Sequence, residues 1–152
     1  MNAIEPDELI VPAINGTLGL LASACRYGTK VKRVVVTSSC TAIASPTSEP
    51  KIVNEDNWNE DAVREVREKG REANQIEKYR ASKTLAEREA WKWYEANKGS
   101  LTWDMVVLNP SFVLGPWLHQ VNNMENLSES INVYDAVVLK GKMKMDMLVN
   151  TG

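Results

Sequence analysis

Between two short apolar runs, residues 31–37 and 103–108, stands the stretch Tyr79-Arg80-Ala81-Ser82-Lys83, which opens a helical pattern running to Asn97. Each run is too short for a helix and ends in polar residues, as buried strands of parallel sheets do. A strand, a long connection holding a helix, and a second strand build a right-handed parallel unit. Both strands then point their carboxyl ends the same way. Ser39, the helix start at Tyr79 and the Asn109-Pro110-Ser111 corner can converge on one crevice.

Within that helix a tyrosine and a lysine four residues apart share one face, so their polar tips can meet a single ligand. At 3.6 residues per turn, Tyr79, Ser82, Lys83, Ala86, Ala90, Trp93, Tyr94 and Asn97 form one stripe, the one expected to face the core. A lysine on such a stripe is a candidate for chemistry, because lysines are rarely buried without a partner. The spacing itself is cheap: four tyrosines and eleven lysines in this length give roughly 0.3 matches by chance. A second pair, Tyr94 and Lys98, lies in the last helical turn beside Gly99, where a lysine complements the helix dipole.

The chemistry the first pair suits is proton transfer. A phenol is a weak acid, near pKa 10, but an ammonium about 4 Å away favours phenolate by up to roughly 4 kcal/mol at an effective dielectric near 20. That would bring Tyr79 close to neutrality, where proton transfer works best. A serine hydroxyl from the end of residues 31–39 would polarise a carbonyl oxygen while Tyr79 supplies its proton. The trio lacks a reductant, so a hydride-carrying cofactor is implied.

The rest of the chain frames this centre. Pro6 to Tyr27 reads as a helix with an acidic first turn and a stop at Gly28. Its Asn15-Gly16-Thr17-Leu18-Gly19 is a poor phosphate loop, having two glycines inside a helical pattern; close packing of helix on sheet explains them better. Residues 42–76 form a long excursion of the kind that makes a lid or rim, with loop composition at 45–50, a capped turn at 54–58 and a charged, solvated helix at 61–72. Beyond Pro116, a loop carries Trp117 and His119, a helix is expected at 128–140, and 142–152 has no assignable role.

Composition excludes several classes. The 152 residues carry a net charge of −2 with a pI near 5.5, which gives no basic field for nucleic acid or an anionic membrane. The acidic N-terminus has no signal-peptide layout, and no apolar run approaches the roughly 20 residues that span a bilayer. Cytoplasmic localisation follows as an expectation. Cys25 and Cys40 lack zinc spacing and, with one histidine, leave no metal site, so reduced thiols are expected.

Taken together, Ser38-Ser39, Tyr79 to Lys83, and Asn109-Pro110-Ser111-Phe112-Val113-Leu114-Gly115-Pro116 resemble the extended short-chain dehydrogenase/reductases of the epimerase/dehydratase superfamily, in particular the dihydroflavonol-reductase-like branch with its fungal carbonyl reductases. Pro12-Ala13-Ile14-Asn15-Gly16-Thr17, the Asn54-Glu55 and Trp58 lid signature, and Ser82 to Glu87 running into Ala90-Trp91 add to the likeness, which covers about residues 6–141. The resemblance implies Ser39, Tyr79 and Lys83 as catalytic residues. Thr37 and Ser38 would lie along the cofactor, with Lys83 on the nicotinamide ribose and Pro110 and Val113 flanking the nicotinamide. Cys40, Thr41, Trp117 and His119 stand where substrate would contact the chain.

The fold class so implied is α/β: a partial Rossmann-like fragment of a doubly wound parallel sheet, in the order helix, strand, long loop, helix, strand. Residues 1–114 are expected to be the later part of a dinucleotide-binding domain and 115–152 the truncated start of a substrate domain, since no GxGxxG occurs in the sequence. The implied activity is reduction of a ketone or aldehyde with NADP or NAD, NADPH being favoured. A small carbonyl substrate is the expected partner, and Leu85 and Trp91, off the main stripe, leave a homodimer open. The alternatives are a non-catalytic remnant or interaction module, an epimerase or dehydratase of sugar nucleotides, and a serine hydrolase using Ser39 and His119, which lacks a G-x-S-x-G elbow.

Overall fold

The computed structural model describes residues 3–45, 47, 49–111, 113 and 131. Two compact units divide the chain, Met1–Ser45 with Ile52–Pro110, and Pro46–Lys51 with Ser111–Gly152. Every element named below lies in the first. Trp117, His119, the expected helix at 128–140 (Ile131 aside) and the final stretch lie outside the described residues.

Helix α1 spans Asp7–Tyr27, with Pro6 at its N-cap and Asp7 and Glu8 in its first turn. It stops at Gly28, whose N–H donates to Ala24 O. A Cβ there would stand 2.4 Å from Ala24 O and 2.8 Å from Val31 Cγ2, so only glycine lets the chain turn this closely into the first strand. Strand β1, Arg33–Thr37, and strand β2, Asp104–Leu108, pair in parallel with Arg33 opposite Asp104 and Thr37 opposite Leu108. Between them come helix α2 at Glu60–Lys69 and helix α3 at Gln75–Asn97, each capped by an asparagine whose Oδ1 accepts an N–H of the first turn: Asn59 from Ala62, Asn74 from Ile76.

Two apolar clusters hold these elements. Leu18, Leu21 and Ala24 of α1 meet Ala90, Trp93 and Tyr94 of α3 over Val34, Val36, Met105 and Val107 of the sheet, with Trp103 stacked on Trp93 and Tyr94. Ile10 and Ile14 of α1 meet Ala62, Val63 and Val66 of α2 and Ala81 and Leu85 of α3. Helix α3 therefore buries two sides rather than the single stripe expected. Ala81, on the far side of the helix from that stripe, is buried as fully as Ala86 and Ala90, Lys78 at its flank is 1% exposed, and Leu85 is partly buried against the same cluster.

Several expectations are corrected. Strand β1 is covered on one face only, its exposure alternating from Arg33 to Thr37, and Val35 and Leu108 stay 54% and 52% exposed. The reason is that α1 and α3 both pack on the Val34–Val36 side, and no described element covers the other. Helix α2 is amphipathic rather than solvated all round, because its small apolar residues recur every three to four positions and dock on α1 and α3. Gly16 and Gly19 face open space on α1 and do not mediate close packing. Contrary to expectation, α1 is by length and composition long and apolar enough to cross a membrane, with a mean hydropathy of 1.4. Its Ile10 and Ile14 pack with α2 and α3 and its Leu18 and Leu21 with α3 and the sheet, while Val11 and Leu20 on its other side are exposed and only 11% of the apolar window is buried. Leu85 and Trp91 also pack within the chain.

Candidate active site

The expected site lies where the two strands end. Ser38 N donates to Leu108 O at 2.8 Å and Cys40 N to Pro110 O at 2.9 Å, which extends the parallel pairing past the last residues of both strands. Ser39 then leaves the strand in extended conformation and caps a 3-10 turn at Cys40–Ala42, its Oγ accepting from Thr41 N at 3.3 Å and Thr41 Oγ1 at 3.0 Å. Both contacts use the oxygen as acceptor, so the Ser39 O–H is uncommitted among the described residues. Thr37 faces the open side of the sheet, and Ser38, Cys40 and Thr41 are half-buried.

The turn after Ser39 is held from behind by a residue the sequence reading did not single out. Asn59 is fully buried; its Nδ2 donates to Thr41 O and Ala44 O, its Oδ1 accepts from Ser45 Oγ and Ala62 N, and its own N–H reaches Ala42 O. An asparagine before Glu60-Asp61 is an N-cap signature that could have found it. The turn also packs against α3.

On α3, Tyr79 and Lys83 are both half-buried, and Lys83 Nζ lies over the Tyr79 ring, 5.8 Å from its centroid. Ser82, between them, is buried and turns back to donate to Tyr79 O at 2.7 Å, the usual local bond of a serine inside a helix. The deeply buried lysine is Lys78, not Lys83. It is 1% exposed, and its Nζ donates to Ala3 O, Ile4 O and Arg71 O. With Gln75, which exchanges two hydrogen bonds with the Ala3 backbone, it fastens the segment before α1 onto the first turn of α3. Only its place on the Ala81–Leu85 side could have signalled this.

Asn109 and Pro110, which follow β2, are both half-buried. Asn109 Nδ2 donates to Ser39 O at 3.0 Å and to Glu87 Oε2 at 2.8 Å, and Glu87 itself is buried. So Ser39, the 109–110 corner and α3 are brought together, with Tyr79 and Lys83 on the same helical side as Glu87. Val113 belongs to the other unit and is 71% exposed. Among the described residues no three histidine, cysteine, aspartate or glutamate side chains gather as a metal site. Cys25 and Cys40 are free thiols. Gly16 and Gly19 lie in the middle of α1, where backbone N–H groups are already bonded within the helix, so no phosphate cradle forms there.

A parallel strand pair with helices packed on one face, small hydroxyls at a strand end and a tyrosine–lysine pair on the helix that packs there are parts of a fold of the Rossmann kind. The sequence matches the NAD dependent epimerase/dehydratase family over residues 1–148, and the chain belongs to that family. It is similar to the ketoreductase azaE of Aspergillus niger, 37% identical over 142 residues, covering 90% of this chain and 38% of that protein. The NADPH-dependent methylglyoxal reductase GRE2 of Saccharomyces cerevisiae is 29% identical over 135 residues, 86% of this chain and 38% of that one. Among solved structures, Gre2 of Candida albicans in its NADPH complex superposes with a TM-score of 0.75 at 28% identity, covering 90% of this chain and 40% of that one. The chain thus spans about two fifths of the length of the relatives it matches.

Proposed function

We propose that the chain carries the proton-transfer half of an NADPH-dependent reductase of small ketones or aldehydes. The observation that carries this reading is the Tyr79–Lys83 pair, one helical turn apart on α3, on the helix against which the Ser39 strand end packs. The names of the relatives, a ketoreductase and an NADPH-dependent methylglyoxal reductase, point the same way.

A serine O–H, a phenol and an ammonium are the donors that a nicotinamide ribose and a carbonyl oxygen require, so the residues present fit that end of the cofactor. Lys83 would hold the ribose hydroxyls, Thr37 and Ser38 would line the cofactor, and Pro110 and Val113 would flank the nicotinamide. When bound, the cofactor supplies a hydride to the carbonyl carbon. Ser39 donates its O–H to the carbonyl oxygen and orients it. Tyr79 gives its proton to that oxygen as negative charge develops there, so that carbonyl, hydride and proton together make the alcohol. Lys83 stabilises the phenolate left behind until solvent returns the proton. In this reading residues 1–114 are the cofactor-binding part, 115–152 begin the substrate domain, Cys40, Thr41, Trp117 and His119 contact substrate, and the protein works in the cytoplasm.

The test is titration of the purified chain with NADPH and NADH, followed by turnover with a panel of small ketones and aldehydes. NADPH binding in the micromolar range, about −8 kcal/mol, with consumption on adding a carbonyl supports the reading. No binding at about 1 mM, or about −4 kcal/mol, overturns it in favour of a non-catalytic module.

A further inference from the structure

The geometry points to Glu87 as a positioning residue: through the Asn109 carboxamide it locks the main chain of Ser39 to the side of α3 that carries Tyr79 and Lys83. This rests on the proposed reductase reading. Glu87 is 5% exposed, and its Oε2 accepts from Asn109 Nδ2 at 2.8 Å. The same nitrogen donates to Ser39 O at 3.0 Å. A carboxamide nitrogen has two protons, and both are committed here.

The arrangement fixes something the rest of the packing does not. Helix α3 is otherwise held by apolar contact with α1, α2 and the sheet, by Lys78 and Gln75 in its first turn, and by the exposed Arg88–Glu60 pair to α2; those polar contacts lie at its start and on its α2 side, not at the strand end that carries Ser39. Tyr79, Lys83 and Glu87 follow one another at four-residue intervals on one side of α3. A turn of the helix that carries Tyr79 away from Ser39 must therefore break the bond at Glu87. Burying a carboxylate against a single neutral donor is costly, and no ion pair joins it to Lys83 among the described residues. On the other side of the bridge, Cys40 N to Pro110 O and Ser38 N to Leu108 O keep the two strand ends from sliding, so the position of Asn109 is transmitted to Ser39. The hydrogen bond, rather than the charge, does the positioning, since a neutral acceptor at Glu87 would receive the same proton.

The experiment compares E87Q, E87L, N109D and Y79F in the full chain, measuring kcat, KM, NADPH affinity, thermal melting and amide exchange at Cys40. E87Q keeps the acceptor and should keep kcat within about threefold, whereas E87L should lower kcat about tenfold to a hundredfold with KM and NADPH affinity within about threefold, because misplacement of reacting groups acts on turnover. Exchange at Cys40 should quicken in E87L and not in E87Q. If E87L does not fold, N109D, which keeps the volume but cannot donate, should show the same loss. Wild-type kcat in a folded E87L alongside a dead Y79F overturns the positioning role and leaves the reductase reading standing. Wild-type kcat in Y79F overturns Tyr79 as the proton donor, and the positioning role with it, while absence of NADPH consumption by the wild-type chain overturns the reductase reading. Unchanged exchange at Cys40 in E87L overturns the clamp whatever the activity.

Discussion

Lys83 Nζ lies 5.8 Å from the centroid of the Tyr79 ring, over its face and one helical turn further along α3. A cation held over a ring is attracted to it, by about 0.5–1 kcal/mol at an exposed site. The two polar tips therefore stay on the same side of the helix, as the proposed chemistry needs. Replacing Lys83 by methionine should lower kcat by about a hundredfold or more, the usual share of an assisting acid–base group, while K83R retains part of it. Steady-state turnover checks this; K83M within about twofold of wild type would contradict it.

The buried ammonium of Lys78 makes a prediction about stability instead. In K78M the carbonyls of Ala3, Ile4 and Arg71 lose the donor that the buried ammonium supplies, Ala3 O alone keeping a second one from Gln75. Buried acceptors left without partners cost about 1–3 kcal/mol each. A loss of about 2 kcal/mol or more, read from the shift of the urea denaturation midpoint, is expected. An unchanged midpoint would mean that Gln75 and the Arg71–Glu5 pair suffice to hold the segment before α1.

Two glycines of the same helical region should respond with opposite signs. Gly16 lies in α1 with nothing within 4 Å of where an added methyl group would stand, so G16A should stabilise by about 0.5–1 kcal/mol through helix propensity. Gly28 has backbone at 2.4 Å in the same direction, so G28A must shift the turn into β1 and should destabilise by about 1–3 kcal/mol. Thermal melts of the two variants settle the sign of each.

On the open face of the sheet, Arg33 donates to both carboxylate oxygens of Asp104, its partner in the strand register. The hydrogen bond from Arg33, and then its charge, hold the Asp104 carboxyl below the ordinary carboxylate range. A group depressed in the folded state stabilises it fully above the unfolded pKa, near about 4, and loses that contribution as pH falls through the folded value. Wild type should therefore exceed D104N in stability at neutral pH, and the gap should close in acid below about pH 4. The gap should also shrink with salt, because the pair is exposed. A gap independent of pH would show that the pair contributes nothing through charge.

What could be read from the residues, and what could not, follows from how each signal is written in the chain. The β-branched run at 31–37 and the apolar run at 103–108 specify strands by themselves, and both form. The Tyr79–Lys83 spacing marks a helix and a shared face, and both stand. Burial of α3 on a second side was invisible, because it depends on α2 docking there through three small apolar residues in a strongly charged stretch. The bridge from Glu87 through Asn109 to Ser39 joins residues 22 and 70 positions apart. No local pattern encodes such a contact; only the parallel register that sets Thr37 opposite Leu108 brings them within reach.

The most direct test of the central claim is turnover by the Tyr79→Phe variant, measured as NADPH consumption with a reducible ketone. The phenol oxygen is the only heavy atom removed, and the phenyl ring that remains still lies beneath the Lys83 ammonium. With Tyr79 as the proton donor, kcat should fall by about 10²–10⁴-fold while NADPH affinity stays within about threefold. A Y79F variant that turns over at the wild-type rate would contradict the account.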